Sequence, residues 1–229
     1  MAKEEQIIMV ILRKKLFGVS SKEDSPQGFL SSNIYDFTPE INAYVEWMKR
    51  GSPKNYGKKL LEAESNPSYK QPIAYSVIVN MDRRKVFAFK RASEQDKYHE
   101  SRLAGNWCWG VGGHVEKIDE EENKDAITII EKSRDRELSE ETTIRNHKPE
   151  LAGYINDDSN EVGSVHFGFL YFIKTDNSDI SPRDGEIEES GWKSLSELEE
   201  ICRMAKQNST IRVDSWSEIA LEPLRKILS

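Results

Sequence analysis

The chain has 229 residues, a formal net charge of −7 and 32% charged residues. That length suits one large domain or one domain with an appendage, and the acidic balance argues against electrostatic capture of nucleic acid. Cys108 and Cys202 are the only cysteines and have no CxxC spacing, so neither a zinc site nor a disulfide framework is indicated.

Taken in chain order, residues 6–16 read as a strand centred on Ile and Val. The apolar run at 7–12 is too short to span a membrane, and the residues before it are acidic where a signal peptide would be basic. A cytoplasmic protein without a membrane partner is expected. Residues 20–27 are polar, contain Pro26 and read as loop. A helix is predicted over 38–50: Thr38 suits an N-cap, Pro39 and Glu40 a first turn, and Ile41, Tyr44, Val45 and Met48 recur at helical spacing. Residues 51–59, rich in Gly, Pro and Lys, mark a break.

Residues 73–79 and 85–91 are β-branched and aromatic, joined by a polar five-residue turn, which is a hairpin signal. Residues 107–111 form another short strand, and the acidic stretch 119–122 follows. A helix is expected over 124–142, with Ala126, Ile127, Ile130 and Leu138 on its apolar side and glutamates opposite. Strands follow at 151–155 and 165–174 with a turn at 157–160, then a helix over 195–206 opened by the capping box Ser194-x-x-Glu197. Ser215-x-x-Glu218 opens the last helix, which Pro223 should kink or restart. Without regular βαβ alternation, the pattern favours an α+β fold with a mixed sheet.

The chemistry concentrates in Arg136-Glu137-Leu138-Ser139-Glu140-Glu141. On a helix, Glu137, Glu140 and Glu141 are related by i, i+3 and i, i+4 spacing and fall near one face. Three like charges so close need water or a shared cation, and an all-oxygen donor set suits Mg²⁺ or Mn²⁺.

This segment resembles the signature of the Nudix (MutT-like) hydrolases, Gly-x5-Glu-x7-Arg-Glu-U-x-Glu-Glu-x-Gly-U, with U a bulky aliphatic. Arg136, Glu137, Leu138, Glu140, Glu141 and Ile144 stand at the expected offsets. Trp109-Gly110-Val111-Gly112-Gly113-His114-Val115 resembles the strand and turn that enter the Nudix helix, and residues 186–192 with 195–198 resemble the family's closing loop and helix. Two departures stand out. Gly113 is followed after five residues by Asp119 rather than Glu, with a stretch to Arg136 about nine residues longer than the pattern's; Thr143 replaces the second Gly. Threonine resists φ > 0, so the helix is expected to end by another turn type.

The resemblance covers roughly residues 70–229. It implies a Nudix-type α/β/α sandwich at 71–229, with residues 1–70 as an N-terminal extension packed on it. It implies a Mg²⁺-dependent (or Mn²⁺-dependent) pyrophosphohydrolase that splits a diphosphate bond in a nucleoside diphosphate linked to another moiety. Glu137, Glu140 and Glu141 would be metal ligands, with the Gly112 carbonyl and a downstream acid, Glu189, completing the shell. Arg136 would orient a catalytic glutamate, and Glu137, Glu140 or Glu188 would serve as base. Asp119 would be a solvated loop or helix-start acid. Arg91, Trp107, Trp109 and His114 are candidates for substrate contact, as are Lys90, Tyr98 and Arg102; each also reads as an ordinary surface or core residue, and His114 as a neutral turn histidine. Two other functions stay open: a catalytically silent Nudix scaffold that binds nucleotide or regulates a partner, and an isomerase acting on an isoprenyl diphosphate. The partner expected is a small-molecule diphosphate, not a nucleic acid, and a homodimer stays open.

Overall fold

The structure is a computed structural model that describes residues 2–92, 104–122, 124–145, 147–183 and 187–228. In chain order its regular elements are β1 (Ile7–Leu12), α1 (Arg13–Phe17), β2 (Gly28–Ser31), α2 (Thr38–Tyr44), β3 (Val45–Lys49), β4 (Tyr69–Asn80), β5 (Lys85–Arg91), β6 (Asn106–Cys108), α3 (Ala126–Glu141), β7 (Lys148–Asn156), α4 (Glu161–Val165), β8 (His166–Thr175), β9 (Ile187–Ser194), α5 (Leu195–Gln207), β10 (Arg212–Val213) and α6 (Ser215–Leu228). The class is α+β with mixed strand pairing, as expected.

The chain divides into two compact units. The first joins Met1–Tyr75, Gly112–Arg136 and Gly153–Phe169. Here β1 pairs antiparallel with β3 (Ile7↔Lys49 to Ile11↔Val45) and with the start of β4 (Ile11↔Lys70), and β2 pairs antiparallel with β7. Val45-Glu46-Trp47 is β-branched and aromatic, and its pairing with β1 wins over the helical spacing of Val45 and Met48. The helix predicted over 38–50 therefore ends at Tyr44. Its first turn is held by Asp36, which accepts from the Thr38 amide at 2.9 Å, instead of by a Thr38 cap. The strand predicted over 6–16 likewise ends at Leu12, and Arg13 to Phe17 turn into α1. Phe17, Phe37, Tyr154 and Phe167 meet edge-to-face or stacked, with ring centroids 5.0–5.8 Å apart.

A buried polar knot sits in the same unit. Arg13, 1% exposed, binds Asp158 through two hydrogen bonds of 2.8 Å and also reaches Ser25 and the Ser164 carbonyl. Lys70, 0% exposed, donates to Asp158 (2.9 Å), the Gly163 carbonyl and the His166 carbonyl. Burial, then the Arg13 charge, push the Lys70 ammonium down to about 7 despite Asp158. Burial acts to raise the Asp158 carboxyl, but hydrogen bonds from Arg13, Gln27 and Lys70 outweigh it and hold it well below the usual carboxylate range.

The second unit joins Ser76–Val111, Glu137–Ala152 and Leu170–Ser229. The hairpin expected at 73–91 forms, with Val79↔Val86 and Asn80↔Lys85 paired. β5 also pairs antiparallel with β6 and β9, and β6 pairs in parallel with β10. The Ser194/Glu197 capping box opens α5 as read. The last helix is capped one residue earlier than expected: Asp214, not Ser215, accepts from the Ser217 amide (3.3 Å). α6 runs from Ser215 to Leu228 with Pro223 inside it, so the proline does not divide the element. Both cysteines are buried free thiols. No helix among the described residues is long and apolar enough to cross a membrane.

Candidate active site

The acidic end of α3 forms because Asp125 caps its first turn, accepting from the Thr128 amide at 2.9 Å, and buried Ile129, Ile130 and Leu138 anchor one side. At the other end, Thr142 is the brake. Its Oγ1 donates to the Leu138 carbonyl (2.7 Å) and accepts from the Ile144 amide (3.3 Å). The next residues pair as extended chain: Thr143 N donates to Ser181 O (3.0 Å), and Arg183 N to Glu141 O (2.8 Å). A hydroxyl cap and a strand-like partner thus replace the left-handed glycine turn, in line with the expectation from Thr143.

The last turn carries Glu137, Glu140 and Glu141. Glu137 is 9% exposed, Glu140 is exposed and Glu141 is half-buried. Arg136, one residue earlier, grips Asp119 with Nε (2.8 Å) and Nη2 (2.9 Å) and also donates to the His114 carbonyl (3.0 Å). Asp119 is 1% exposed and additionally caps its own 3₁₀ turn, accepting from the Glu116 amide at 2.9 Å. The reading of Asp119 as a solvated acid is therefore corrected. The longer insert begins at a buried turn that hands Arg136 a bidentate partner.

Gly112 is explained sterically. A Cβ there would lie 2.4 Å from the Ala74 carbonyl oxygen, so only glycine lets this segment lie against β4. His114 bridges to Ile73 as extended chain, which corrects its reading as a turn residue. Burial, with the Arg50 guanidinium nearby, pushes its imidazolium down to about 3, so the ring is neutral near pH 7 and offers no positive charge to a phosphate. Its Nε2 faces Gln71, His166 and Glu64.

Glu188 and Glu189, expected on a loop, lie exposed on β9. Pairing with β5 (Lys90↔Glu189, with an irregularity before Arg91) makes this stretch a strand. Lys90 Nζ lies 3.3 Å from Glu188, and Lys193 Nζ lies 3.7 Å from Glu189. Lys90 is also paired with Trp107, so Trp107, Lys90 and Glu189 form a row across β6, β5 and β9. Trp107 is half-buried under the Lys193 ammonium, 5.3 Å from its ring centroid, and Arg91 is half-buried with its guanidinium 5.4 Å from the Phe89 ring centroid. Trp109 is corrected: at 1% exposure, with its amide donating to Ser217 Oγ (3.0 Å), it is core and presents no face to a ligand. Tyr98, Arg102 and Glu186 lie outside the described residues.

Sequence reasoning missed the convergence of Glu64, Gln71 and His166 on His114. Residues at 64, 71, 114 and 166 share no motif spacing, and only the fold brings them together.

Comparison with known proteins adds four findings. A NUDIX domain family profile matches residues 70–212. Protein YmaB of Bacillus subtilis (strain 168) is 30% identical over 231 residues, covering 98% of this chain and all of that protein. Among solved structures, Tm1382, provisionally described as a Nudix hydrolase, superposes with a TM-score of 0.66 at 24% identity, covering 97% of this chain and 100% of that one. The NUDIX domain of Shewanella oneidensis NrtR, complexed with ADP ribose, superposes with a TM-score of 0.51 at 15% identity, covering 70% and 89%.

Proposed function

Since this chain belongs to the Nudix family, pyrophosphohydrolases acting on phosphorus-containing acid anhydrides, we propose that it cleaves the diphosphate bond of a nucleoside diphosphate linked to another moiety, with a divalent cation. The observation that carries this reading is the last turn of α3, where Glu137, Glu140 and Glu141 crowd three carboxylates into five residues of one helix. Their oxygen-only donor set fits Mg²⁺, with Mn²⁺ as a substitute. Bound there, the cation would neutralise the diphosphate and make water a better nucleophile.

The protein's own groups supply the rest. Glu137, Glu140 and Glu141 would hold the cation, with Glu189 as a further donor. Glu137, Glu140 or Glu188 accepts the proton of the attacking water; Lys90 Nζ lies 3.3 Å from Glu188. The water oxygen bonds to one phosphorus, the bridging P–O bond breaks, and the other phosphoryl group leaves as its phosphate. Arg136, clamped by Asp119, fixes the start of the acidic turn.

The test is phosphate and nucleotide release from a panel of diphosphate compounds, an ADP-ribose among them, with Mg²⁺ or Mn²⁺. Turnover that falls by about a hundredfold or more in Glu141→Gln is expected. No turnover on any compound, with nucleotides still raising the melting temperature, would instead mark the chain as a silent binding scaffold.

A further inference from the structure

Glu64 lies on a 3₁₀ turn (Ala63–Ser65), His114 on the bridge to Ile73, and His166 at the start of β8. Among the described residues, these three bring their ligand atoms within 4.8 Å of one another. His166 Nδ1 lies 2.7 Å from the Val162 carbonyl, which can only accept, so in the neutral ring Nδ1 carries the proton and Nε2 a lone pair. That lone pair faces His114 Nε2 at 3.2 Å. The same His114 nitrogen also faces Gln71 Oε1 at 2.7 Å and a Glu64 carboxylate oxygen at 3.4 Å.

Three electron-pair donors thus surround one imidazole nitrogen, which carries at most one hydrogen in the neutral ring. Gln71 sharpens the point: it is 0% exposed, its oxygen is aimed into the cluster and its Nε2 has no hydrogen-bond partner. Turning the amide over would only move the orphaned atom from nitrogen to oxygen. Arg50 reaches Glu64 at 3.4 Å, a long contact, and its other hydrogen bond goes to Gln6.

We propose that Glu64, His114 and His166 bind a divalent transition-metal ion of the Zn²⁺ class, with Gln71 Oε1 as the fourth donor. Ligand atoms held at Zn–N and Zn–O bond lengths in a tetrahedron are roughly 3.3 Å apart; the contacts of His114 with His166 and Glu64, 3.2 and 3.4 Å, already have that spacing, and Gln71 Oε1, at 2.7 Å, has to draw back to join them. The Val162 carbonyl on His166 Nδ1 is the outer partner that orients a metal-binding imidazole. His114 binds with its proton on Nδ1. The donor set, two nitrogens and a carboxylate, selects a different ion from the oxygen-only glutamates of α3. Glu64, Gln71 and His166 are buried, so the site is closed and structural: it ties three distant chain segments to one ion.

The full-length protein, stripped with chelator, is reloaded with Zn²⁺ alone and desalted, and metal is counted. In parallel, Co²⁺ alone is added and its visible spectrum read. About one Zn²⁺ per chain is expected to remain, Co²⁺ is expected to give the intense absorption of a four-coordinate ion, and Zn²⁺ is expected to raise the melting temperature of the stripped wild type. His166→Gln and Glu64→Gln should weaken retention by more than about tenfold, whereas Glu141→Gln should retain the ion. The wild-type Co²⁺ spectrum and melting shift hold as readouts even if a variant does not fold. A wild type that retains no Zn²⁺ and leaves Co²⁺ with its weak octahedral spectrum overturns the proposal. So does retention that survives in His166→Gln and Glu64→Gln, or that disappears in Glu141→Gln alone.

Discussion

Arg13 and Asp158, 145 residues apart, meet in a bidentate pair of two 2.8 Å hydrogen bonds, with side chains 1% and 6% exposed. Lys70 shares the same carboxylate at 2.9 Å, so two buried cations depend on one anion. Replacing Asp158 by Asn would leave both without their counter-charge. A loss of about 3–5 kcal/mol is expected, read as a lower denaturation midpoint in urea with an unchanged slope.

The same carboxylate predicts how stability responds to acid. Its folded-state pKa is depressed, so its contribution is complete above the unfolded value of about 3.9 and is lost as pH falls through the lower folded value. The stability of the wild type should therefore fall below about pH 4 more steeply than that of Asp158→Asn. Equal acid slopes in the two proteins would contradict this assignment.

Gly112→Ala would place a methyl group 2.4 Å from the Ala74 carbonyl oxygen, which is backbone and cannot swing aside. A cost of about 1–3 kcal/mol from overpacking is expected, measured by thermal unfolding. Adding a methyl at Gly191, where an added Cβ meets nothing within 4 Å, should cost far less.

Asp119→Asn keeps the shape of the side chain but removes the charge that pairs both Arg136 nitrogens. About 1–3 kcal/mol of stability should be lost. If Arg136 orients the acidic turn, kcat should fall with KM little changed, because substrate contacts remain.

Cys108 and Cys202 should be silent toward thiol reagents. Burial pushes the first thiol up to about 12; burial, with Glu218 beside it, pushes the second to about 11. At pH 8 an aromatic disulfide reagent should find no reactive thiol in the folded chain and two after denaturation.

What the sequence disclosed and what it hid follow the range of the forces involved. The hairpin at β4–β5, the α5 capping box and the acidic turn of α3 are set by residues a few positions apart, and each formed where local pattern put it. Val45 to Lys49 went to strand because β1, whose paired residues lie 34 to 42 positions earlier, offered an edge. Glu188 and Glu189 read as loop acids because Gly191 and the charges around it hide a strand that exists through pairing with β5. Asp119 looked solvated because its neighbours 120–122 are acidic, and nothing local announces that Arg136 will bury it. The His114 cluster was the least legible, since its partners are drawn from positions 64, 71 and 166.

The first unit gathers its chain from three stretches, the last of which ends at Phe169. That order matters during synthesis. Arg13 leaves the ribosome 145 residues ahead of the carboxylate that neutralises it, a wait on the order of ten seconds at ordinary elongation rates. Until Asp158 emerges, the N-terminal segment has strands and aromatic residues ready to pack but a cation it cannot bury. Release of a chain cut short before residue 158 should therefore yield a protease-sensitive fragment rather than a folded intermediate.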